Sequence, residues 1–435
     1  MSNRRISRGT RFDRSNRASK KITAADCGIP ALLCASSRVN YRGALAWLYA
    51  TQRFGIKLGL ESIRRLLAAL PRNGDFQIAA GGLEAAAPRK IIHVAGTNGK
   101  GSVCAMIDAI ARAAGLRTGL FTSPHLISFR ERIRVNGEMI SEDEVARGLT
   151  EIRERIRNWD PHPTFFEIAT ALALQHFQKT RCEILVLETG MGGRLDATNA
   201  VQSSVSVITP IDFDHEKWLG YSIGEIAKEK AGIIKPRIPI VSAPQRPEAE
   251  VIIRHRAEKC HAPLQFVNDP WTKTEVALDG EHQKINAAIA INALKAASLP
   301  FSDNAIAHGL ASVEWPARFQ IWNERIVIDG AHNPAGARIL AQTWREQFDN
   351  ERATILFAIL RDKNAAAIIQ ALRPIGSKFV LPQIRGERAL PPHELAEVIS
   401  SITPSLPYSI APSVAEAISL AFLRGKPNAL EECAQ

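Results

Sequence analysis

His93-Val-Ala-Gly96-Thr97-Asn98-Gly99-Lys100-Gly101-Ser102 closes the apolar run Ile91–Ala95 and opens a segment whose apolar residues Val103, Met106, Ile107, Ile110 and Ala114 share one helical face, stopped by Gly115. A strand that passes through a glycine-rich turn into a helix start aims several backbone N–H groups, and the positive end of the helix dipole, at one point. Lys100 adds a point charge suited to the outer phosphates of a nucleotide, and Ser102 offers a hydroxyl to Mg²⁺. The stretch departs from the GxxxxGK[ST] pattern: Gly96 stands closer to the lysine, and Gly101 intervenes before Ser102. A plain glycine-rich turn requires neither a lysine nor a hydroxyl at the helix start, so the reading is a nucleoside triphosphate site. That alone does not separate kinase, motor, switch and ligase.

Outward from this turn, short branched runs recur at Ile184–Leu187, Val205–Thr209 and Ile238–Val241, separated by long connections. This is the pattern of parallel βαβ units and predicts an α/β fold. Helical spacing precedes the turn, at 44–48 and through Leu60, Ile63, Leu66 and Leu67, with a loop expected over Asn73–Pro88. A second series follows: Arg325–Ile328, a helix after Pro334, Thr354–Leu360, another helix, then Lys378–Leu381. The expected domains are a basic extension at 1–38, an ATP-binding domain at 39–316 and a smaller α/β domain at 317–435, the last two meeting near Trp315-Pro316.

A chain of 435 residues has room for two to three domains. With 46% apolar and 23% charged residues it is neither collagen-like nor low-complexity. The six cysteines form no CxxC pair, so a disulfide scaffold or zinc ribbon is not expected and a reducing compartment is. No stretch approaches 18 uncharged apolar residues, which argues against a membrane partner. Residues 1–38 hold nine Lys/Arg against two Asp, a net +7 of the chain's +11. This leader reads as a disordered extension or upstream start, an Arg- and Ser-rich transit peptide, or a nucleic-acid tail, but lacks the apolar core of a secretory signal. The remainder is too mildly basic for a nucleic-acid face.

Further segments carry a resemblance. They are Phe54–Leu60, His93–Ser102, Thr122–Leu126, Glu131-Arg-Ile133, Phe166-Glu167, Glu188–Asn199, Asp214-His215 with Leu219-Gly220, Glu229–Ile234, His282-Gln283 with Asn286, Arg318–Gln320 and Asp329–Pro334. In this order, over roughly residues 40–365, the chain resembles the folylpolyglutamate synthase/dihydrofolate synthase family of Mur-type ATP-dependent ligases. The resemblance implies the Mur ligase architecture: a P-loop-type parallel-sheet ATPase domain plus a smaller Rossmann-like α/β C-terminal domain. It implies that L-glutamate is joined to dihydropteroate or a folate through an acyl phosphate, at the expense of ATP, by a cytoplasmic monomer.

The roles implied are these. Gly96, Thr97, Asn98, Gly99, Lys100, Gly101 and Ser102 hold the phosphates, with Asn286, Arg318 and Asp329 completing the ATP site. Ser102, Glu167, His215 and Lys230 hold Mg²⁺, two ions in all, with Lys230 carbamylated so that a cation becomes an oxygen ligand. Lys100, Lys230 and His215 carry the catalysis. Ser123, Pro124, His125 and His332 contact substrate. Spacing alone ranks Glu188, at a strand end, above Glu167, and leaves Glu167 equally a helix-start acid, His215 a loop histidine, Lys230 a solvated helix face, and Asp196 and Asn199 turn residues.

Four features depart from the family pattern: a short stretch between Ile234 and His282, Ala317 in place of a glycine, no counterpart for the first 38 residues, and no closing strand at the C-terminus. Two further readings therefore stand beside the first: a Mur-type cell-wall amino-acid ligase, and a catalytically impaired folate- or nucleotide-binding relative.

Overall fold

The computed structural model describes residues 40–55, 57, 59–70, 89–349 and 351–422. The expected extension at 1–38, the loop at 73–88 and the C-terminal end beyond residue 422 lie outside the described residues.

The larger sheet is built from β1 (Lys90–Ala95), β2 (Thr118–Phe121), β3 (Ile133–Val135), β4 (Glu138–Met139), β5 (Ile184–Glu188), β6 (Val205–Ile208), β7 (Ile240–Ser242) and β8 (Leu264–Phe266). Its order is β4-β3-β2-β5-β1-β6-β7-β8. Six strands run parallel, and β3 and β4 add an antiparallel edge. The parallel strands are apolar on both faces because helices cover both. Ile92 and Val94 pack under the helices Lys100–Ala113 and Glu281–Ala296. Ile91 and Leu185 face the opposite layer, with Ile168, Leu172 and Phe177 of the helix Phe165–Lys179.

From β1 the chain crosses to β2 on one side, returns to β5, then passes to β6 on the other side of β1. The carboxyl ends of β5, β1 and β6 thus open on one crevice, where this topology places ligands.

The smaller part contains the hairpin β9 (Gln320–Trp322) and β10 (Ile326–Ile328), then the parallel sheet β11 (Ala353–Leu356), β12 (Gly376–Pro382) and β13 (Tyr408–Ala411). Helices Pro334–Phe348, Ala365–Leu372 and Pro392–Ile402 bury a separate core around Ile368, Ile369, Phe379 and Leu395.

Two expected strands shift. The run at Ile238 begins only at Ile240, because Pro239 has no N–H to give the ladder. The run Thr354–Leu360 leaves the sheet after Leu356, although Leu360 still bridges Ala389.

Candidate active site

The turn 96–99 is shaped by contacts that only glycine tolerates. Gly96 has φ 149°, and a Cβ there would lie 1.9 Å from Thr209 Oγ1. Gly99 is left-handed at φ 84°, with Asn286 Oδ1 2.9 Å from where its Cβ would be. A Cβ on Gly101 would come 2.7 Å from Trp315 Nε1. The side chain of Thr97 is fixed against Asp212, donating to its carbonyl (2.9 Å) and accepting from its N–H (3.0 Å). No side chain caps the helix that begins at Lys100, which leaves its first N–H groups available to an anion. Lys100 Nζ donates to Thr97 O (3.2 Å), and Ser102 is buried in the first turn.

Two buried carboxylates, Glu188 and Glu167, differ in what they bind. Glu188, the last residue of β5, accepts from Ser123 N (2.9 Å) and lies 4.0 Å from Lys100 Nζ. Burial raises its pKa, against the opposing pull of Lys100. Glu167 closes a capping box at the start of the helix Phe165–Lys179: its Oε2 accepts from Thr164 N (2.7 Å) and Thr164 Oγ1 (2.8 Å). One of its oxygens is therefore committed to the helix start. Thr164→Ala is expected to cost about 1 kcal/mol of stability, read as a lower urea midpoint with an unchanged slope.

Lys230 ends the helix Ile223–Lys230, yet its side chain is buried and donates to Gly96 O at 2.7 Å. Burial, with the charge of Lys100, pushes its pKa down to about 7. Pattern alone reads this lysine as a solvated face, and the structure reverses that. His215, left-handed at φ 53°, lies 3.7 Å from Asp214. Burial and the cations Lys363, Lys230 and Lys100 bring its pKa to about 4, against the opposing pull of Asp214.

Asp214 itself joins the two parts of the chain. It binds Lys363 Nζ and lies 3.4 Å from His332 Nε2. Burial would raise its pKa, but His332, His215 and Lys363 hold it well below the usual carboxylate range. A second junction is the reciprocal amide pair of Asn98 and Asn333, at 2.9 and 3.3 Å. Arg338 reaches Asp212 at 3.4 Å. Lys363 and Asp212 were not flagged by sequence reasoning, since no local pattern marks a residue whose partner lies more than a hundred positions away.

The remaining expected residues are distributed around this junction. Asn286 is buried beside Gly99 and donates to Gln283 (2.9 Å). Asp329 accepts from Phe319 N (2.9 Å) and Ala331 N (2.7 Å), with its pKa raised by burial. Arg318 folds back on Ala317 O (2.8 Å). His332 Nδ1 meets Gly330 O (2.8 Å). Ser123 and Pro124, joined by a cis peptide, and His125 form a loop anchored by Glu188, by Arg132 Nε donating to His125 Nδ1 (2.7 Å), and by Tyr49 Oη 3.2 Å from His125 Nε2.

Among the described residues no three His, Cys, Asp or Glu side chains stand close enough to hold a metal by themselves. The donor set still suits Mg²⁺, which prefers oxygen and is commonly held by one or two protein oxygens together with substrate phosphates. Ser102 and Glu188, both buried beside the glycine turn, offer oxygens of that kind.

Residues 94–259 match the Mur ligase middle domain and residues 317–430 the Mur ligase glutamate ligase domain. A Bacillus subtilis protein, dihydrofolate synthase/folylpolyglutamate synthase, is 38% identical over 77% of this chain and 83% of its own length. The Mycobacterium tuberculosis folylpolyglutamate synthase, solved with ADP and AMPPCP, superposes with a TM-score of 0.80 at 30% identity, covering 89% of this chain and 94% of the other. The Yersinia pestis bifunctional folylpolyglutamate synthase/dihydrofolate synthase, solved with AMPPNP and Mn ion, gives 0.77 at 32% identity over 88% and 92%. Among the described residues no helix is long and apolar enough to cross a membrane.

Proposed function

Because this chain belongs to the folylpolyglutamate synthase/dihydrofolate synthase family of Mur-type ATP-dependent ligases, we propose that it joins L-glutamate to dihydropteroate, to a tetrahydrofolate, or to both. The acceptor's carboxylate oxygen attacks the γ-phosphorus and ADP leaves, giving an acyl phosphate. The glutamate amine then attacks the acyl carbon, phosphate departs, and the amine gives up a proton. Both steps build negative charge, so fixed donors and exclusion of water carry the acceleration.

In this reading Gly96 to Ser102 cradle the phosphates and Lys100 opposes their charge. Asn286, Arg318 and Asp329 complete the ATP site, and Ser123, Pro124, His125 and His332 face the substrates. Ser102, Glu167, His215 and Lys230 would hold Mg²⁺, taken as two ions, with Glu188 beside them. When bound, Mg²⁺ supplies positive charge against the phosphate oxygens. The buried Lys230, with its pKa near 7, has the free amine that addition of CO₂ requires, which supports its reading as a carbamate. The protein acts as a monomer, in the cytoplasm where ATP and glutamate are at hand.

The observation that carries this reading is a phosphate turn with an open helix start joined directly, through Asn98 and Asn333, to the part that matches a glutamate ligase domain. It favours a working ligase over an impaired binding relative, and the curated relatives favour a folate acceptor over a cell-wall one. Phosphate release from ATP should require both the pterin acid and glutamate. Release with a muramyl nucleotide instead, or nucleotide binding with no turnover on any acceptor, would overturn it.

Lys230→Ala should lower turnover by about 10–100-fold, the scale for weakening a metal's surroundings. Small carboxylates such as formate or acetate should restore part of it. No rescue at any concentration would remove the carbamate from the reading.

A further inference from the structure

Arg132 is a buried guanidinium with no ion pair among the described residues. It ends the 3-10 turn Phe129–Arg132 and is 8% exposed. Among the described residues no carboxylate lies within ion-pairing distance of it, and its one side-chain hydrogen bond runs from Nε to His125 Nδ1. The oxygens of neighbouring Glu131 are held by the backbone N–H groups of Leu126, Ile127 and Ser128, so its charge acts on Arg132 only from a distance and without a hydrogen bond. A guanidinium stays charged at any physiological pH, and an unpaired buried charge is costly. The remaining N–H fork suits a planar carboxylate, bound through two parallel hydrogen bonds.

The surroundings narrow what that carboxylate is attached to. Arg132 lies over the ring of Phe165, 5.4 Å from its centroid. Tyr49 stacks on the same ring at 5.6 Å and 20°, and Phe129 meets it edge-on at 6.2 Å. Tyr49 also reaches His125, so one aromatic cluster holds both the histidine and the arginine. His125 accepts at Nδ1, which leaves its Nε2–H to donate to Tyr49 and fixes the ring that holds the guanidinium. The carbonyl of Arg132 accepts from Thr122 N (3.0 Å), and the next residue, Ser123, binds Glu188, which stands 4.0 Å from Lys100. The arginine is therefore tied through two short links to the phosphate turn.

We propose that Arg132 docks the carboxylate of the acceptor, and that the partly exposed rings of Tyr49 and Phe165, backed by buried Phe129, select an acid borne on an aromatic ring. This rests on the ligase reading above and names the residue that would receive the acid.

The test compares wild type and Arg132→Gln in ATP-, glutamate- and dihydropteroate-dependent phosphate release. Wild-type activity is the entry condition: its absence with every pterin acid counts against the ligase reading, whereas the outcomes below bear on Arg132 alone. Arg132→Gln should raise the KM for dihydropteroate by about 30-fold or more, the scale for removing one partner of a buried charge pair, with KM for ATP and glutamate within about threefold of wild type. Arg132→Lys, which keeps charge and stem, should recover part of the loss.

An unchanged acceptor KM, or an equal rise in all three KM values with no recovery in the lysine variant, would overturn the proposal. Should the glutamine variant fail to fold, binding of dihydropteroate and its carboxamide to wild type and Arg132→Lys decides instead. The acid should bind wild type about 30-fold more tightly than the amide, and that preference should shrink in the lysine variant. Equal binding of acid and amide to wild type would sink the assignment.

Discussion

Replacing Lys100 with alanine should lower turnover by about 10²–10³-fold, the scale for deleting one preorganised electrostatic contact at a transition state. The ammonium sits in the first helical turn, hydrogen-bonded to Thr97 O and 4.0 Å from Glu188, so neither contact neutralises it by close pairing. Its removal leaves the backbone cradle in place. On the proposed reading the N–H groups of the turn would still hold phosphate, so the KM for ATP should move much less than kcat. Steady-state phosphate release at saturating acceptor and glutamate checks this, and an unchanged rate would refute the phosphate role of the lysine.

Among the glycines of the described residues, Gly96 is where an added methyl meets its nearest neighbour, and Gly96→Ala should be strongly damaging. The new Cβ would fall 1.9 Å from Thr209 Oγ1 and 2.9 Å from Thr209 O, and the second of these is backbone that cannot swing aside. Overpacking of this kind costs roughly 1–3 kcal/mol, and holding a non-glycine residue at φ 149° adds strain of about 1–3 kcal/mol. The turn relieves this by moving, which also displaces Gly96 O from Lys230 Nζ. The expected outcome is a lower melting temperature together with loss of most of the stabilisation that ADP gives the wild type. A variant that melts normally and still responds to ADP would show that the turn has room the geometry denies.

The parallel βαβ core was legible because its strands are buried on both faces and read as short branched runs: Ile91–Ala95, Ile184–Leu187 and Val205–Ile208 are all apolar enough to stand out. β2 escaped because Thr118-Gly-Leu-Phe is short and contains a glycine, which Phe177 and Leu185 pack against so closely that no Cβ fits. The β3–β4 hairpin carried a usable signal in Asn136-Gly137, both at positive φ, the dipeptide that two-residue hairpin turns favour. β8 and β13 are only partly buried, so their alternation is weak.

At the site, the glycine turn from strand into an uncapped helix start could be read from residue types alone. Lys230 could not, since a lysine flanked by Lys228 and Glu229 looks solvated until the fold carries its Nζ under Gly96. Spacing favoured Glu188 as the strand-end acid, and it is Glu188 that approaches Lys100. Arg132 lay inside a quoted segment and Lys363 in none, yet the surroundings of neither could be read locally: what defines each is the distant group it meets or lacks, and no local spacing encodes that.

The paired amides of Asn98 and Asn333 have one more implication. Each side chain is both giver and receiver for the other, so neither can turn without releasing its counterpart. Asn98 lies within the glycine turn that follows β1, and Asn333 caps the helix Pro334–Phe348, its carbonyl oxygen accepting from Gly336 N. One shared contact thus sets the geometry of the turn and of a helix end in the other part of the chain together, and any free energy by which a ligand on one shifts this pair must act equally in the reverse direction.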